Sequence, residues 1–242
     1  VPKGHGKSQQ SSQTQYGRRS RRHLLWVFPV SFLRFERKLW QRGIETIAGV
    51  DEAGVGPLAG PVVAAAVIFP KEMVIDGVDD SKKLTGKKRD ELYGLITERA
   101  VCYGVGVVEP VVIDRINILQ ASILAMKKAI EELRVTPEFI IADGRSFSHE
   151  TLKYRNIIDG DARSFTIGAA SIIAKVTRDR LMLQYHERFP AYGFDQHKGY
   201  GTRQHLAAIR QHGLCEIHRK SFRRQMELFE GVQDSRNSGI LN

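Results

Sequence analysis

Residues 46–69 read TIAGVDEAGVGPLAGPVVAAAVIF: two short apolar, β-branched runs on either side of a Gly- and Pro-rich stretch. Neither run has a helical apolar period, so 46–51 and 61–69 are predicted as buried strands joined by a Gly-rich turn. Downstream, Lys87 to Ala100 has the spacing of an amphipathic helix and Val101 to Val108 returns to strand-like alternation. Ile113 to Leu133 carries one broad apolar stripe and is expected to be helical. FIIAD at 139–143 is a further buried strand ended by Gly144, and 164–188 and 200–212 read as helices. The order predicts an α/β domain: a mixed central sheet flanked by helices, with a helical C-terminal portion.

The chain has 242 residues and a net charge of +10, enough for one domain with a real core. That charge is uneven. Residues 1–44 hold ten Lys/Arg and one acid, whereas 45–242 hold 27 and 26. A general argument from basicity to nucleic acid therefore rests on the N-terminal segment, which reads as a disordered basic tail leading into a short helix. Arg21 and Arg22 before an apolar run resemble a twin-arginine export signal, but Pro29 interrupts the run and no small-residue cleavage site follows. A second basic cluster, Arg188 to Arg224, interleaves histidines with Tyr192, Phe194, Tyr200 and Phe222, a mix that suits phosphates and stacked bases. Cys102 and Cys215 are too few for a disulfide framework or a four-thiolate zinc site. A reducing, cytoplasmic setting, a monomer and no membrane span are expected.

Four carboxylates occupy unusual places. Asp51 and Glu52 end an apolar strand; in a regular strand they point to opposite faces, so serving one site requires the backbone to turn at Ala53-Gly54-Val55-Gly56-Pro57. Asp143 ends FIIA, at the carboxyl end of a strand, where ligands meet such sheets. Asp161 lies just ahead of a helix starting near Ser164, and its plainer reading is a cap. Clustered carboxylates repel one another unless a hard cation sits among them, and oxygen ligands suit Mg²⁺ or Mn²⁺ rather than zinc. Two such ions can activate water and stabilise the leaving oxygen of a phosphodiester. The chain lacks GxxxxGK[ST], GxSxG and HExxH motifs.

The blocks AGVDEAGVGPLAGPVVAAAVI (48–68), DDSKKLTGKKR (79–89), INILQASILAMKKAI (116–130), IIADGR (140–145), IIDGDARSFTIGAASIIAKVTRDRLM (157–182) and YGFDQHKGYGTRQHLAAIRQHGLCEIHRKSF (192–222) together resemble bacterial ribonuclease HII. The resemblance runs in order across residues 35–222. It divides the chain into a basic extension (1–34), a catalytic domain with its helical C-terminal part (35–222) and a tail (223–242). It implies a ribonuclease H-like fold and metal-dependent cleavage of RNA in RNA/DNA hybrids, including the 5′ side of a single ribonucleotide in duplex DNA, leaving 3′-hydroxyl and 5′-phosphate ends. The catalytic and metal-binding carboxylates it implies are Asp51, Glu52, Asp143 and Asp161, with two Mn²⁺ or Mg²⁺ ions.

In that family the backbone of a Gly-Arg-Gly segment reads the ribose 2′-hydroxyl. Here the segment is Gly54-Val55-Gly56, and loss of the arginine implies weaker substrate binding. Tyr200 matches the tyrosine that stacks on the deoxyribose 3′ of the ribonucleotide, a role for which neighbouring His197 and Lys198 argue. Ser81, Lys82 and Lys83 resemble a phosphate-facing loop, and Lys175 and Arg178 are placed to face the nucleic-acid backbone. Gln225-Met226-Glu227-Leu228-Phe229 resembles the Gln-x-x-Leu-Phe peptide that docks on the bacterial sliding clamp, set against a plainer reading in which Met226, Leu228 or Phe229 packs on the domain. The substitution at Val55 also keeps open a hybrid-binding protein with impaired turnover and a specificity like that of ribonuclease HIII. A basic structural protein bound to ribosomes or DNA has only residues 1–44 in its support.

Overall fold

The computed structural model describes residues 32–222. The N-terminal extension up to residue 31 and the C-terminal tail, with Gln225, Leu228 and Phe229, lie outside the described residues. Five strands, β1 (Ile47–Ala53), β2 (Val62–Ile68), β3 (Cys102–Val108), β4 (Phe139–Asp143) and β5 (Tyr154–Ile157), form one sheet in the order β3-β2-β1-β4-β5. β1 pairs antiparallel with β2 and parallel with β4, so the sheet is mixed as expected. The helices are α1 (Arg34–Trp40), α2 (Gly86–Arg99), α3 (Pro110–Glu131), α4 (Phe165–Arg188), α5 (Phe194–His197) and α6 (Arg203–His212).

β1 is buried on both faces, which is why its sequence is apolar without alternation. Even positions such as Val50 join the cluster under α3, with Ala125, Met126 and Ala129. Odd positions such as Ile47 join Ile167 of α4. Gly49 marks the closest approach on that second face: a Cβ there would run into the backbone of Thr166 and Ile167. The missing side chain lets the first turn of α4 lie directly on β1, two residues before Asp51.

Three elements depart from the sequence expectations. The helix predicted over 113–133 is broken at Asn117 (φ 65°, ψ 166°), whose side-chain oxygen accepts the Gln120 N–H and so caps the second half. β5 gave no signal because YRNI is a mostly exposed, polar edge strand. The helix expected from 200 starts at Arg203, because Thr202 caps it by accepting the His205 N–H and Lys198 and Gly199 take positive φ just before. Tyr200 is thereby placed on a loop.

Gly49→Ala is expected to destabilise the fold by roughly 1–3 kcal/mol through overpacking against α4. Urea denaturation of the metal-free protein measures this, as a lower midpoint at unchanged slope.

Candidate active site

The last β1–β4 pair is Val50↔Ala142, one residue short of both Asp51 and Asp143. Beyond it a cleft of about 380 Å³ opens, lined by Asp51, Glu52, Asp143, residues 53–56, Ser81, Lys82, Lys175 and Tyr200. The expected turn begins at Gly54, beyond the pair, and does not bring Asp51 and Glu52 to one face. Both stay paired with β2, opposite Ala65 and Ala64, and point to opposite faces. What unites them is the end of the β1–β4 ladder, where side chains from either face reach the same opening. The Glu52 N–H donates to Asp51 Oδ1 at 2.7 Å, and Ser122 of α3 hydrogen-bonds the Glu52 carboxylate from the other side.

Asp161 sits on a one-turn 3₁₀ segment, Gly160–Ala162, which is tied to β4 because the Gly160 N–H donates to Asp143 Oδ1 at 2.6 Å. It is not the cap of α4. That role belongs to Ser164, whose hydroxyl accepts the Ile167 N–H and donates to the buried Glu36 of α1 at 2.6 Å. Glu36 also accepts the Thr166 N–H, so α1 braces the start of α4 beside Asp161.

Burial raises the Asp51 carboxyl well above its ordinary range, and the charges of Glu52, Asp143 and Asp161 push it further. Glu52 is raised to about 7 by burial and then by Asp143. Asp161 is raised by burial, by Asp143 and by Asp80, an acid next to Ser81 that residue type and order did not single out. The facing cation is Lys82, 3.7 Å from Asp161 Oδ2; burial lowers its pKa, but Asp161, Asp51 and Asp80 more than reverse this. Concentrated negative charge on an all-oxygen donor set fits hard divalent cations. Among the described residues no three acidic, His or Cys side chains are already gathered closely enough to enclose an ion.

The other predicted site residues separate into two groups. Gly54 (φ +97°), Val55 and Gly56 form the cleft wall, and Tyr200 stands across from Gly56, 45% exposed. Ser81 and Lys175 also line the cleft, with Lys175 paired to Asp179 at 2.5 Å and its pKa lowered by burial. Lys83 departs from expectation: it reaches towards Asp79 and does not line the cleft. Arg178 is a clear correction. It is 1% exposed and donates to the carbonyls of Pro61, Lys198 and Ala59, so no donor faces a nucleic-acid backbone.

A model of the ribonuclease HII family matches residues 48–225. The chain belongs to the ribonuclease HII family. Ribonuclease HII of Geobacter metallireducens is 53% identical over 193 residues, covering 80% of this chain and 91% of that protein. Among solved structures, ribonuclease H2 from Pyrococcus horikoshii OT3 superposes with a TM-score of 0.61 at 27% identity, covering 76% of this chain and 99% of that one. A ribonuclease HII from Archaeoglobus fulgidus, solved as a complex with PCNA, gives 0.62 at 28%, covering 72% and 94%. The fold is accordingly ribonuclease H-like, and the protein is a ribonuclease H, an endonuclease that hydrolyses phosphodiester bonds.

Within this ribonuclease most histidines and aromatics of the C-terminal cluster are interior, contrary to their reading as part of a binding face, whereas Arg188, Arg203, Arg210 and Lys220 stay exposed. Tyr192, Phe194, His197, His205 and His218 are buried. Hydrogen-bond partners assign the protons. His205 Nδ1 donates to the Tyr200 carbonyl at 2.9 Å, leaving Nε2 to accept from His218 Nε2 at 3.1 Å; His218 Nδ1 then accepts the Cys215 N–H at 2.9 Å. His197 accepts the Gly199 N–H and donates to the Tyr192 carbonyl. All three rings are therefore neutral, and His205 supports the backbone of Tyr200. Sequence reading also missed Arg219, which is fully buried and donates to the carbonyls of Gly54, Val55, Gly60 and Pro61. Its only local sign was its place in a basic run, which resembles a solvated face.

Burial, before any other cause, lowers His205 and His218 to about 4 from 6.5. The unfolded chain thus binds more protons than the folded one between those values. Their contribution to stability is complete above pH 6.5 and is lost as pH falls through about 4. Thermal melts should show Tm falling across this window, with a shallower fall in His205→Asn.

Proposed function

We propose that this protein cleaves the RNA strand of RNA/DNA hybrids and the 5′ side of single ribonucleotides in duplex DNA, using Asp51, Glu52, Asp143 and Asp161 to hold two divalent ions, Mn²⁺ or Mg²⁺. The observation that carries the reading is the meeting of Asp51, Glu52 and Asp143, from the ends of β1 and β4, in one cleft, with Asp161 near enough for its charge to raise Asp51 and with Lys82 as the facing cation. Bound there, the ions would activate the attacking water and neutralise the departing alkoxide, giving 3′-hydroxyl and 5′-phosphate ends. The chain's own residues hold the substrate. The loop Gly54-Val55-Gly56 approaches the sugar, Tyr200 offers a face for stacking, and Lys82, with Ser81 and Lys175 beside it, supplies positive charge for phosphates.

Val55, 41% exposed, offers no charge where the family arginine would meet a phosphate. Substrate binding is weaker by one such contact in this reading, while the glycines that permit close approach remain. A sliding clamp is a further proposed partner, through Gln225, Leu228 and Phe229; the archaeal relative's complex with PCNA is the parallel that favours it.

The deciding assay uses two labelled duplexes, one with a single ribonucleotide in DNA and one with a four-ribonucleotide tract, in Mg²⁺ and in Mn²⁺. Cutting 5′ of the single ribonucleotide is expected. Cutting of the tract alone would move the protein towards ribonuclease HIII-like specificity, and binding without cutting in either metal would overturn the reading.

Asp51→Asn and Asp143→Asn are expected to abolish cleavage while leaving duplex binding near the parent level. Because Asp51→Asn removes one of the mutually repelling buried charges, it should also raise Tm of the metal-free protein by a few degrees, for about 1 kcal/mol regained. Val55→Arg is expected to tighten duplex binding and steepen its salt dependence by about one phosphate contact. A salt series of fluorescence anisotropy titrations measures both.

A further inference from the structure

Resting on the reading of the 54–56 loop as the sugar-facing wall, we propose that Arg219 is a positioning residue. It aims two successive backbone N–H groups, those of Val55 and Gly56, into the carboxylate cleft, where they donate to the ribose 2′-oxygen.

The argument is one of peptide planes. Arg219 approaches the loop from inside the protein, donating from Nη2 to the Gly54 carbonyl at 2.6 Å and from Nη1 to the Val55 carbonyl at 3.0 Å. In a trans peptide the N–H points opposite to the carbonyl of the same plane, and the described residues contain no cis peptide. Drawing the Gly54 carbonyl inward therefore turns the Val55 N–H outward, and drawing in the Val55 carbonyl does the same for the Gly56 N–H. Both residues line the cleft with Asp51 and Glu52. Neither N–H has an acceptor among the described residues, although nearby backbone groups are paired: Leu58 N–H to Gly199, Gly60 N–H to Ile217 and Arg219 N–H to Leu58. Two adjacent, unpaired donors beside a set of carboxylates make a site for an acceptor oxygen.

Only a planar fork with donors at fixed angles can hold two consecutive carbonyls in this way, and Arg219 anchors the fork through Nε to the Gly60 carbonyl at 2.9 Å. The conformation also depends on Gly54, whose positive φ leads into the first plane and where a Cβ would strike Arg178 and the Pro61 carbonyl. The side chain at position 55 takes no part in the aiming, since it is exposed. That explains how valine is accommodated there without disturbing the backbone that faces the sugar.

The test compares affinities for two duplexes identical except for one ribonucleotide in place of a deoxyribonucleotide, in the non-cleaving Asp143→Asn background. Two hydrogen bonds to one oxygen are expected to give a preference of about tenfold or more for the ribonucleotide duplex. Arg219→Lys keeps the charge but cannot hold both carbonyls; it should bring the preference to near unity while leaving affinity for the all-DNA duplex unchanged. A purely structural role would instead lower both affinities together through a smaller folded fraction, which overturns the proposal. Val55→Pro removes one of the two donors without touching a buried side chain, and it too should lower the preference; it decides the matter if Arg219→Lys fails to fold. Retention of the parent preference in the folded variants overturns the assignment to Arg219. A parent with no preference for the ribonucleotide overturns the substrate reading itself, and the proposal with it.

Discussion

Two buried guanidinium groups hold the catalytic end of this molecule together. Arg178 from α4 and Arg219 from the C-terminal segment converge under the loop that links β1 to β2, and between them they bind the carbonyls of Gly54, Val55, Ala59, Gly60 and Pro61. Neither makes an ion pair among the described residues; the charge is balanced by carbonyl dipoles, and burial accordingly lowers both, Arg178 to about 10 and Arg219 to about 9. Taking a cation out of water without a counter-ion is costly unless every donor finds an acceptor. Here the loop's carbonyls, with that of Lys198, give every guanidinium nitrogen an acceptor. The same contacts that make the arginines tolerable therefore define the loop, and they join the C-terminal third of the chain to the central strand.

The C-terminal segment is in this sense an internal part of the active-site wall. Ala59 forms a bridge to His218, Leu58 donates to Gly199, and the neutral His205–His218 pair supports the Tyr200 backbone from below. Above this rigid base stand four acids whose charges oppose each other, with Asp51 and Glu52 both raised by burial and by their neighbours. Stability and function diverge at this point. The frame is held by saturated hydrogen bonds, while the site keeps electrostatic strain that a bound cation would relieve.

The sheet was legible because its central strands are buried on both faces. Nothing but apolar residues is tolerated at Val50, Ala64 or Ile140, and short β-branched runs separated by glycines report this directly. β5 escaped because an exposed four-residue edge strand has no such constraint. The acids Asp51 and Asp143 were legible by position, as polar residues ending apolar strands. Their exact meeting was not, since it depends on where the β1–β4 ladder stops, a property of two distant segments together.

From sequence alone came the α/β architecture, the four carboxylates, the family and the substitution at Val55, all of which depend on residue type and order. Tertiary structure decided which charges face the cleft and which are interior. Arg178, Arg219, His197 and His205 sit in basic, aromatic-rich stretches that resemble a nucleic-acid face, yet all four are buried. The physical reason is that an arginine or histidine has no intrinsic preference strong enough to reveal its side. Whether it binds phosphate or a backbone carbonyl depends on which acceptors the rest of the chain brings within reach, and that is settled only when segments more than a hundred residues apart come together.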